Sequence, residues 1–206
     1  FDFGIPNCMK KIRLKKRWKK SCWLKGFWWF LWESPSIWSW IIDLILLYIL
    51  VKFIFFPVAG LIAGTSLPSV IVESESMHHS DSFEAWWQDF GSWYEQQNIT
   101  KEDTEKWYLP NGIDKGDIIL VSGRIENNLK VGDVIIFNAN QAKPIIHRII
   151  KINSTISTKG DNNADQLSVE KSIEKERVIG RAVYRIPKAG WAKLFFVEIT
   201  NSLFGK

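Results

Sequence analysis

Three hydrophobic patterns follow one another along the chain. Residues 36–64 are almost continuously apolar, and aromatic side chains recur at helical spacing over residues 83–94. Most of the remaining chain from residue 67 onward holds short β-branched runs bounded by Gly, Asn, Asp or Pro. A long apolar run favours a membrane-spanning helix, a 3.6-residue repeat favours an amphipathic helix, and short bounded runs favour strands. The pattern predicts a mainly β domain with an N-terminal transmembrane α-helix and a helical insertion.

The apolar segment predicts a transmembrane helix over residues 34–66. The 29 residues from Ser36 to Gly64 would extend roughly 43 Å, which exceeds the ~30 Å of a bilayer's hydrocarbon core. Lys52 lies near the middle, where a charge costs about 2.5–3.5 kcal/mol, so it favours a neighbouring membrane subunit or helix. Pro57 predicts a kink. The alternative is a buried helix of a soluble core.

Charge and aromatic residues around this segment predict its orientation. Residues 1–33 carry nine Lys/Arg and two Asp/Glu, although the whole chain has a net charge of only +5. The positive-inside rule then predicts a single-pass cell-membrane protein with residues 1–33 in the cytoplasm and residues 67–206 outside. The basic, Trp-rich composition of residues 1–33 favours contact with an anionic lipid bilayer over nucleic-acid binding. Tryptophans typical of a membrane interface cluster at this end of the span: Trp28, Trp29, Trp32, Trp38 and Trp40.

Residues 82–112 predict the helical insertion, with a second helix starting near Thr100. Its aromatic face is expected either to pack on the β core or to enter the outer headgroup layer. Residues 188–206 predict an amphipathic segment too short to span a bilayer. The two cysteines, Cys8 and Cys22, match no common zinc spacing, and no metal or organic cofactor is expected.

The candidate chemistry begins in "VIVESESMHHSD", residues 70–81. Ser74 and Ser76 are two residues apart, so on an extended backbone they point to the same side. A serine becomes a nucleophile when a neighbouring base accepts its proton. The chain has three histidines, His78, His79 and His147. His147 lies in the middle of a predicted strand, "PIIHRIIKI", where a lone histidine is more often structural than catalytic.

Acidic residues follow in "STKGDNNADQ". Asp161 and Asp165 lie in a Gly/Asn-rich loop where a carboxylate can orient an imidazole and stabilise its charged form. The same composition is also typical of a plain turn.

Taken in order behind an apolar anchor, these motifs resemble the type I signal peptidases of the archaeal and endoplasmic-reticulum branch. That branch uses a Ser/His mechanism in place of the bacterial Ser/Lys pair. The resemblance covers roughly residues 36–187 without the insertion. It implies a signal-peptidase-like β fold in which Ser76 in "SESM" is the nucleophile and His147 in "IIHRIIKI" is the base. Asp161 and Asp165 match the family's two acidic positions.

The resemblance also implies how substrate is held. The Ser76 backbone N–H and the Ser74 hydroxyl would form the oxyanion hole. Substrates would be the signal peptides of secretory preproteins, bound as an added strand and cut after small residues near the outer membrane face. The substrate-binding candidates are Val70, Ile71, Val72 and Met77. The protein-translocation machinery is a further expected partner.

The sequence departs from the family pattern in three places. His79 stands where members usually have proline, "SES" replaces "SGS" and so places Glu75 beside the nucleophile, and about thirty residues are inserted before the "GD" strand. An alternative function is therefore a non-catalytic, membrane-anchored β domain that binds a partner through the Trp-rich insertion. Another is a membrane serine protease with a dedicated substrate. His78 and His79 are expected to be rim residues or parts of the substrate groove, and they are the fallback bases.

Overall fold

The computed structural model describes residues 37–80, 82–125 and 128–204. The chain divides into two units, the first ending at Val58 and the second beginning at Ala59. The basic segment at residues 1–33 and the first three residues of the predicted span, 34–36, lie outside the described residues.

A long apolar helix runs from Ile37 to Ala63, within the predicted span. It has 27 residues, and an 18-residue stretch within it has a mean hydropathy of 2.5, so by length and composition it can cross a membrane, and no other described helix can. It has three parts: α1 (Ile37–Leu50), a π-helical turn (Val51–Phe55) and α2 (Phe56–Ala63).

The π-helical turn lies just before Pro57. The Phe56 N–H donates to the carbonyl of Val51, one residue further back than in an α-helix. Pro57 lacks an N–H and its ring crowds the preceding turn, which is a common cause of such irregularities. Within this turn, Lys52 Nζ donates to the Tyr48 hydroxyl at 3.1 Å. Lys52 therefore has a polar partner within its own helix, and the expected neighbouring subunit stays a prediction.

The second unit is built on one antiparallel sheet with the strand order β1-β2-β6-β3-β4-β5. Its strands are β1 (Ser69–Ile71), β2 (Ile118–Ser122), β3 (Val134–Phe137), β4 (Ile145–Ile152), β5 (Ile156–Lys159) and β6 (Val178–Ile186). The β-branched runs predicted five of these strands, and the more polar β5 was not predicted. β1 and β5 are the two edge strands.

In the described part of the second unit, three helices accompany the sheet: α3 (Phe83–Gln96), α4 (Lys101–Glu105) and α5 (Trp191–Phe204). Ser82 caps α3 by accepting from the Ala85 N–H at 3.2 Å. Thr100 and Asp103 form a capping box that starts α4 at the expected position. α5 lies within the predicted C-terminal segment and presents an exposed Phe195. The described residues also include two 3₁₀ turns, Ser168–Glu170 and Lys175–Arg177.

The aromatic face of the insertion packs on the sheet. Trp86 and Tyr94 of α3 are almost fully buried, and they form a cluster with Ile99 and with Ile150 of β4. Of the two destinations expected for this face, the β core is the one observed. A bridge between His78 and Gly112 closes the insertion at its base.

Candidate active site

Ser76 and His147 are brought together from opposite parts of the sheet. Ser76 lies in the turn that follows the edge strand β1, and His147 lies in β4, paired with Ile135 of β3. The Ser76 hydroxyl Oγ is 2.9 Å from His147 Nε2. The imidazole is buried, with 3% of its side chain exposed, whereas Ser76 is half-buried. The ring therefore contacts the serine from the interior side of the site. This distance allows direct proton transfer from the serine to the ring.

Backbone hydrogen bonds hold the serine turn on both sides. The Asn162 N–H donates to the Ser76 carbonyl at 2.8 Å, and the Ile113 N–H donates to the Met77 carbonyl at 2.8 Å. Within the turn, the His78 N–H donates to the Glu75 carbonyl at 3.0 Å. The nucleophile candidate therefore sits on a turn fixed by two other loops.

The carboxylate on the far side of His147 belongs to Glu170. His147 Nδ1 hydrogen-bonds to Glu170 Oε1, and both side chains are buried. Glu170 also accepts from the Thr158 hydroxyl at 3.1 Å and from the Leu167 N–H at 2.7 Å. With Nδ1–H donating to the carboxylate, the lone pair of Nε2 faces the Ser76 hydroxyl, which is the tautomer that a general base requires.

Asp161 and Asp165, the acidic residues predicted from the sequence, form no hydrogen bond with His147, whose described partners are Glu170 and Ser76. Asp165 is exposed and accepts from the Trp93 indole N–H at 3.0 Å and from the Gln166 N–H at 2.7 Å. Asp161 is fully buried on the Arg148 guanidinium. The resemblance pointed to the loop that holds Asp161 and Asp165, whereas the carboxylate on His147 comes from the 3₁₀ turn Ser168–Glu170. Glu170 was missed because "SVEKSIEKER" holds several acidic residues and no spacing distinguishes one of them.

The Asp161–Arg148 pair is a buried structural ion pair. Arg148 donates to the Asp161 carboxylate from Nη2 at 2.6 Å and from Nε at 2.9 Å. Its other guanidinium N–H groups donate to the carbonyls of Tyr108, Leu109 and Gly132. Burial by itself would raise the pKa of Asp161, but the Arg148 charge and the His79 ring together hold that pKa well below its ordinary value. Every donor of the guanidinium is thus used without exposing the pair to water.

The remaining predicted residues lie around the Ser76 turn. Ser74 Oγ is 3.1 Å from Ser76 Oγ, close enough for its hydroxyl to reach a group bound at the serine. Ile71 is half-buried on the edge strand, as is Val70, which packs against the core. Val72 and Met77 are buried in the hydrophobic core. The side chains of Val72 and Met77 therefore pack beneath the Ser76 turn, in the core, and do not line an open substrate surface.

The two fallback bases have other partners. His78 Nδ1 is 2.6 Å from Asp114, which also pairs with Arg185 at 2.7 Å. His79 Nε2 is 3.1 Å from Asp161, and its ring stacks on Trp86 with centroids 4.3 Å apart. All three histidines are described, and His147 is the one that is hydrogen-bonded to the Ser76 hydroxyl.

Gly160 lies against the Ser–His pair. A Cβ on this residue would come within 2.8 Å of both His147 Nε2 and the Ser76 carbonyl oxygen. Only glycine leaves room for the loop at this distance from the two groups.

Neither a scan against protein-family models nor a search of curated proteins found a match for this chain. Within the described ranges, no cluster of three His, Cys, Asp or Glu side chains is placed to hold a metal ion. Ser76, His147 and Glu170 form a hydrogen-bonded chain in which the imidazole can accept the serine proton.

Proposed function

We propose that this protein is a membrane-anchored serine endopeptidase that removes signal peptides from translocated preproteins. The observation that carries the proposal is the Ser76–His147–Glu170 arrangement, in which a half-buried serine meets a buried His–Glu pair. A hydroxyl, an imidazole and a carboxylate in line at hydrogen-bonding distance form a nucleophile, a general base and an orienting group. The sequence resemblance to Ser/His signal peptidases supplies the substrate class.

In this mechanism His147 Nε2 takes the Ser76 proton as Oγ attacks the scissile carbonyl. The Ser76 backbone N–H and the Ser74 hydroxyl donate to the oxyanion, and an interaction of that kind contributes about 2.7–4 kcal/mol. Glu170 keeps the imidazole in the required tautomer and stabilises its charged form. His147 then protonates the leaving amine, and a water molecule, deprotonated by the same ring, releases the acyl group from Ser76.

Two further features support a signal peptide as the substrate. β1 is an edge strand, so an extended peptide can add to its outer side through backbone hydrogen bonds. Ser76 is only twelve positions beyond Gly64, the residue that follows the apolar helix. If the helix spans a bilayer, this short connection keeps the serine near the outer face, where a signal peptide's apolar stretch ends.

The alternative of a non-catalytic binding domain receives no comparable support. It relied on the Trp-rich insertion as a partner surface, but Trp86 and Tyr94 are buried against the sheet.

The test is cleavage of a preprotein by the full-length protein in lipid vesicles. Wild type should release the mature protein, whereas Ser76→Ala and His147→Ala should lose at least about 10³-fold in rate. Ser80→Ala, an exposed serine four residues on, is the matched control and should cut normally. Wild-type protein that is inert toward a range of preproteins, or full activity in Ser76→Ala, would sink the proposal.

A further inference from the structure

Helix α3 of the insertion contacts the loop that borders the Ser–His pair. This loop, residues 159–166, is called the Gly160 loop below. The Trp86 indole N–H donates to the Asp161 carbonyl at 2.9 Å, and Trp86 is 1% exposed. One and two turns further along α3, aromatic rings surround the Lys159 ammonium, with centroids 4.9–5.0 Å from Nζ: Phe90, Trp93 and Tyr94.

Two more contacts extend this attachment. The Trp93 indole N–H donates to Asp165 Oδ1 at 3.0 Å. His79 stacks almost parallel on Trp86 and hydrogen-bonds to the Asp161 carboxylate at 3.1 Å. The helix therefore holds the start, the middle and the end of the Gly160 loop through different chemical groups.

The opposite side of the same loop touches the nucleophile. Gly160 has no space for a side chain beside His147 Nε2 and the Ser76 carbonyl. Asn162 donates its backbone N–H to that carbonyl and its side-chain amide to the Glu75 carbonyl at 3.1 Å. A shift of this loop by a fraction of an ångström would change the Ser76–His147 distance, because Gly160 packs directly against both residues.

We infer that α3 is a positioning element for catalysis, in which Trp86 and Trp93 are positioning residues that fix the Gly160 loop against Ser76 and His147. The inference deepens the proposed function and rests on it for the identity of the nucleophile. It explains why His79 stands where the resembling family has proline. A histidine ring can link Trp86 to Asp161, and a proline ring has no donor for that link.

The test uses conservative changes in α3 of the full-length protein in detergent micelles. Trp86→Phe and Trp93→Phe each keep an aromatic ring and remove one N–H. Trp87→Phe is the matched control, because within the described residues the Trp87 indole N–H donates no hydrogen bond to the Gly160 loop. Two readouts are combined: kcat and KM for preprotein cleavage, and amide hydrogen exchange of the 159–166 peptide.

We expect Trp86→Phe and Trp93→Phe to lower kcat by about tenfold with little change in KM, since a small misplacement of reacting groups slows the chemical step. Amide exchange should accelerate in the 159–166 peptide and stay unchanged in peptides from β2 and β6. Trp87→Phe should match wild type in both readouts. Fully folded variants with wild-type kcat and wild-type exchange would overturn the inference.

A double-mutant cycle separates positioning from general destabilisation. Asp165→Ala removes the acceptor of the Trp93 N–H, so it should reproduce the Trp93→Phe defect, and the double variant should be no worse than either single variant. Asp165→Asn keeps an acceptor oxygen and should be less impaired than Asp165→Ala. Additive losses, or an equal loss in the two Asp165 variants, would contradict a role through Trp93.

Cleavage by wild type tests the proposed function, and amide exchange tests the attachment of α3 independently of it. If wild type cuts no preprotein, the peptidase proposal fails, and the attachment of α3 to the loop is decided by exchange alone. Faster exchange in Trp86→Phe and Trp93→Phe would then support the attachment, and unchanged exchange would reject it.

Discussion

At the residue scale, two buried carboxylates near the site, Glu170 and Asp161, have different roles that the sequence does not reveal. Glu170 contacts the imidazole of His147, whereas Asp161 neutralises the buried Arg148. In the proposed mechanism, the first contact stabilises a charge that forms during the reaction. The second compensates a charge that is always present. Removing one or the other should therefore have different consequences.

Glu170→Gln should lose about 10²–10⁴-fold in kcat, since the amide can no longer stabilise the imidazolium. Asp161→Asn should instead destabilise the fold by about 3–5 kcal/mol, because it leaves Arg148 buried without a negative partner. Preprotein cleavage and urea unfolding measure the two effects. A catalytic loss in folded Asp161→Asn with wild-type stability would return the orienting role to Asp161.

Lys159 gives a prediction about pH. Burial lowers its pKa to about 8, although Asp161, Glu170 and Asp165 oppose that shift. The unfolded chain has the ordinary value of roughly 10.4, so between the two values the unfolded state binds more protons. The contribution of this group to stability should therefore rise with pH across that window, by up to about 3 kcal/mol.

Lys159→Met fills the same space without a titratable group. The variant should exceed wild type in free energy of unfolding by the largest amount at pH 7. This difference should shrink as the pH rises toward 10. Urea unfolding at several pH values measures the difference. A difference that is constant with pH would mean that Lys159 is solvated in the folded protein.

How much the sequence predicts depends on how local the signal is. Ser76 and His147 could be selected because each stands in a short motif with a recognisable order along the chain. Glu170 could not, because its contact with His147 depends on how the 3₁₀ turn after β5 folds back over β4. β5 itself was missed since "ISTK" has mixed polarity, and only its pairing with β4 makes it a strand.

At the scale of elements, β1 should bind substrate through one edge only. Val72 donates its N–H to Asp117 at 2.9 Å, and Pro68 accepts from Val121 at 3.0 Å. Residues 68, 70 and 72 thus face β2, and by alternation the backbone groups of Ile71 face outward. The outward N–H of Ile71 is available to an added peptide.

Ile71→Pro removes that outward N–H and leaves the bonds to β2 in place. We expect KM for preprotein to rise about tenfold, as the loss of one or two hydrogen bonds would give. The thermal unfolding midpoint should change little, since proline is tolerated on edge strands. Val70→Pro removes an inward N–H and should lower the midpoint instead. Unchanged KM in Ile71→Pro would exclude strand addition at this position.

At the scale of the whole molecule, the sequence predicted an apolar helix, and the structure has one from Ile37 to Ala63. Length and composition suffice for this because a helix satisfies its own backbone hydrogen bonds in lipid. The orientation of this helix in the membrane depends instead on the basic residues of segment 1–33, which lies outside the described residues. The predicted topology therefore needs its own test.

The native cysteines make that test direct. Cys8 and Cys22 are the only two in the chain, and both lie in the basic segment. In intact cells, a membrane-impermeant maleimide should leave them unlabelled until the membrane is permeabilised. In a Cys8→Ser/Cys22→Ser background, a single cysteine at the exposed Ser154 should be labelled without permeabilisation.

The two measurements together decide whether Ser76 can meet a translocated substrate. The opposite pattern, with Cys8 labelled outside and Ser154→Cys protected, would place Ser76 in the cytoplasm. A signal peptide's cleavage site is exposed on the other side of the membrane, so the serine could not reach it even with an intact Ser–His–Glu arrangement. Catalysis of a cytoplasmic cleavage would then be the function left for this site.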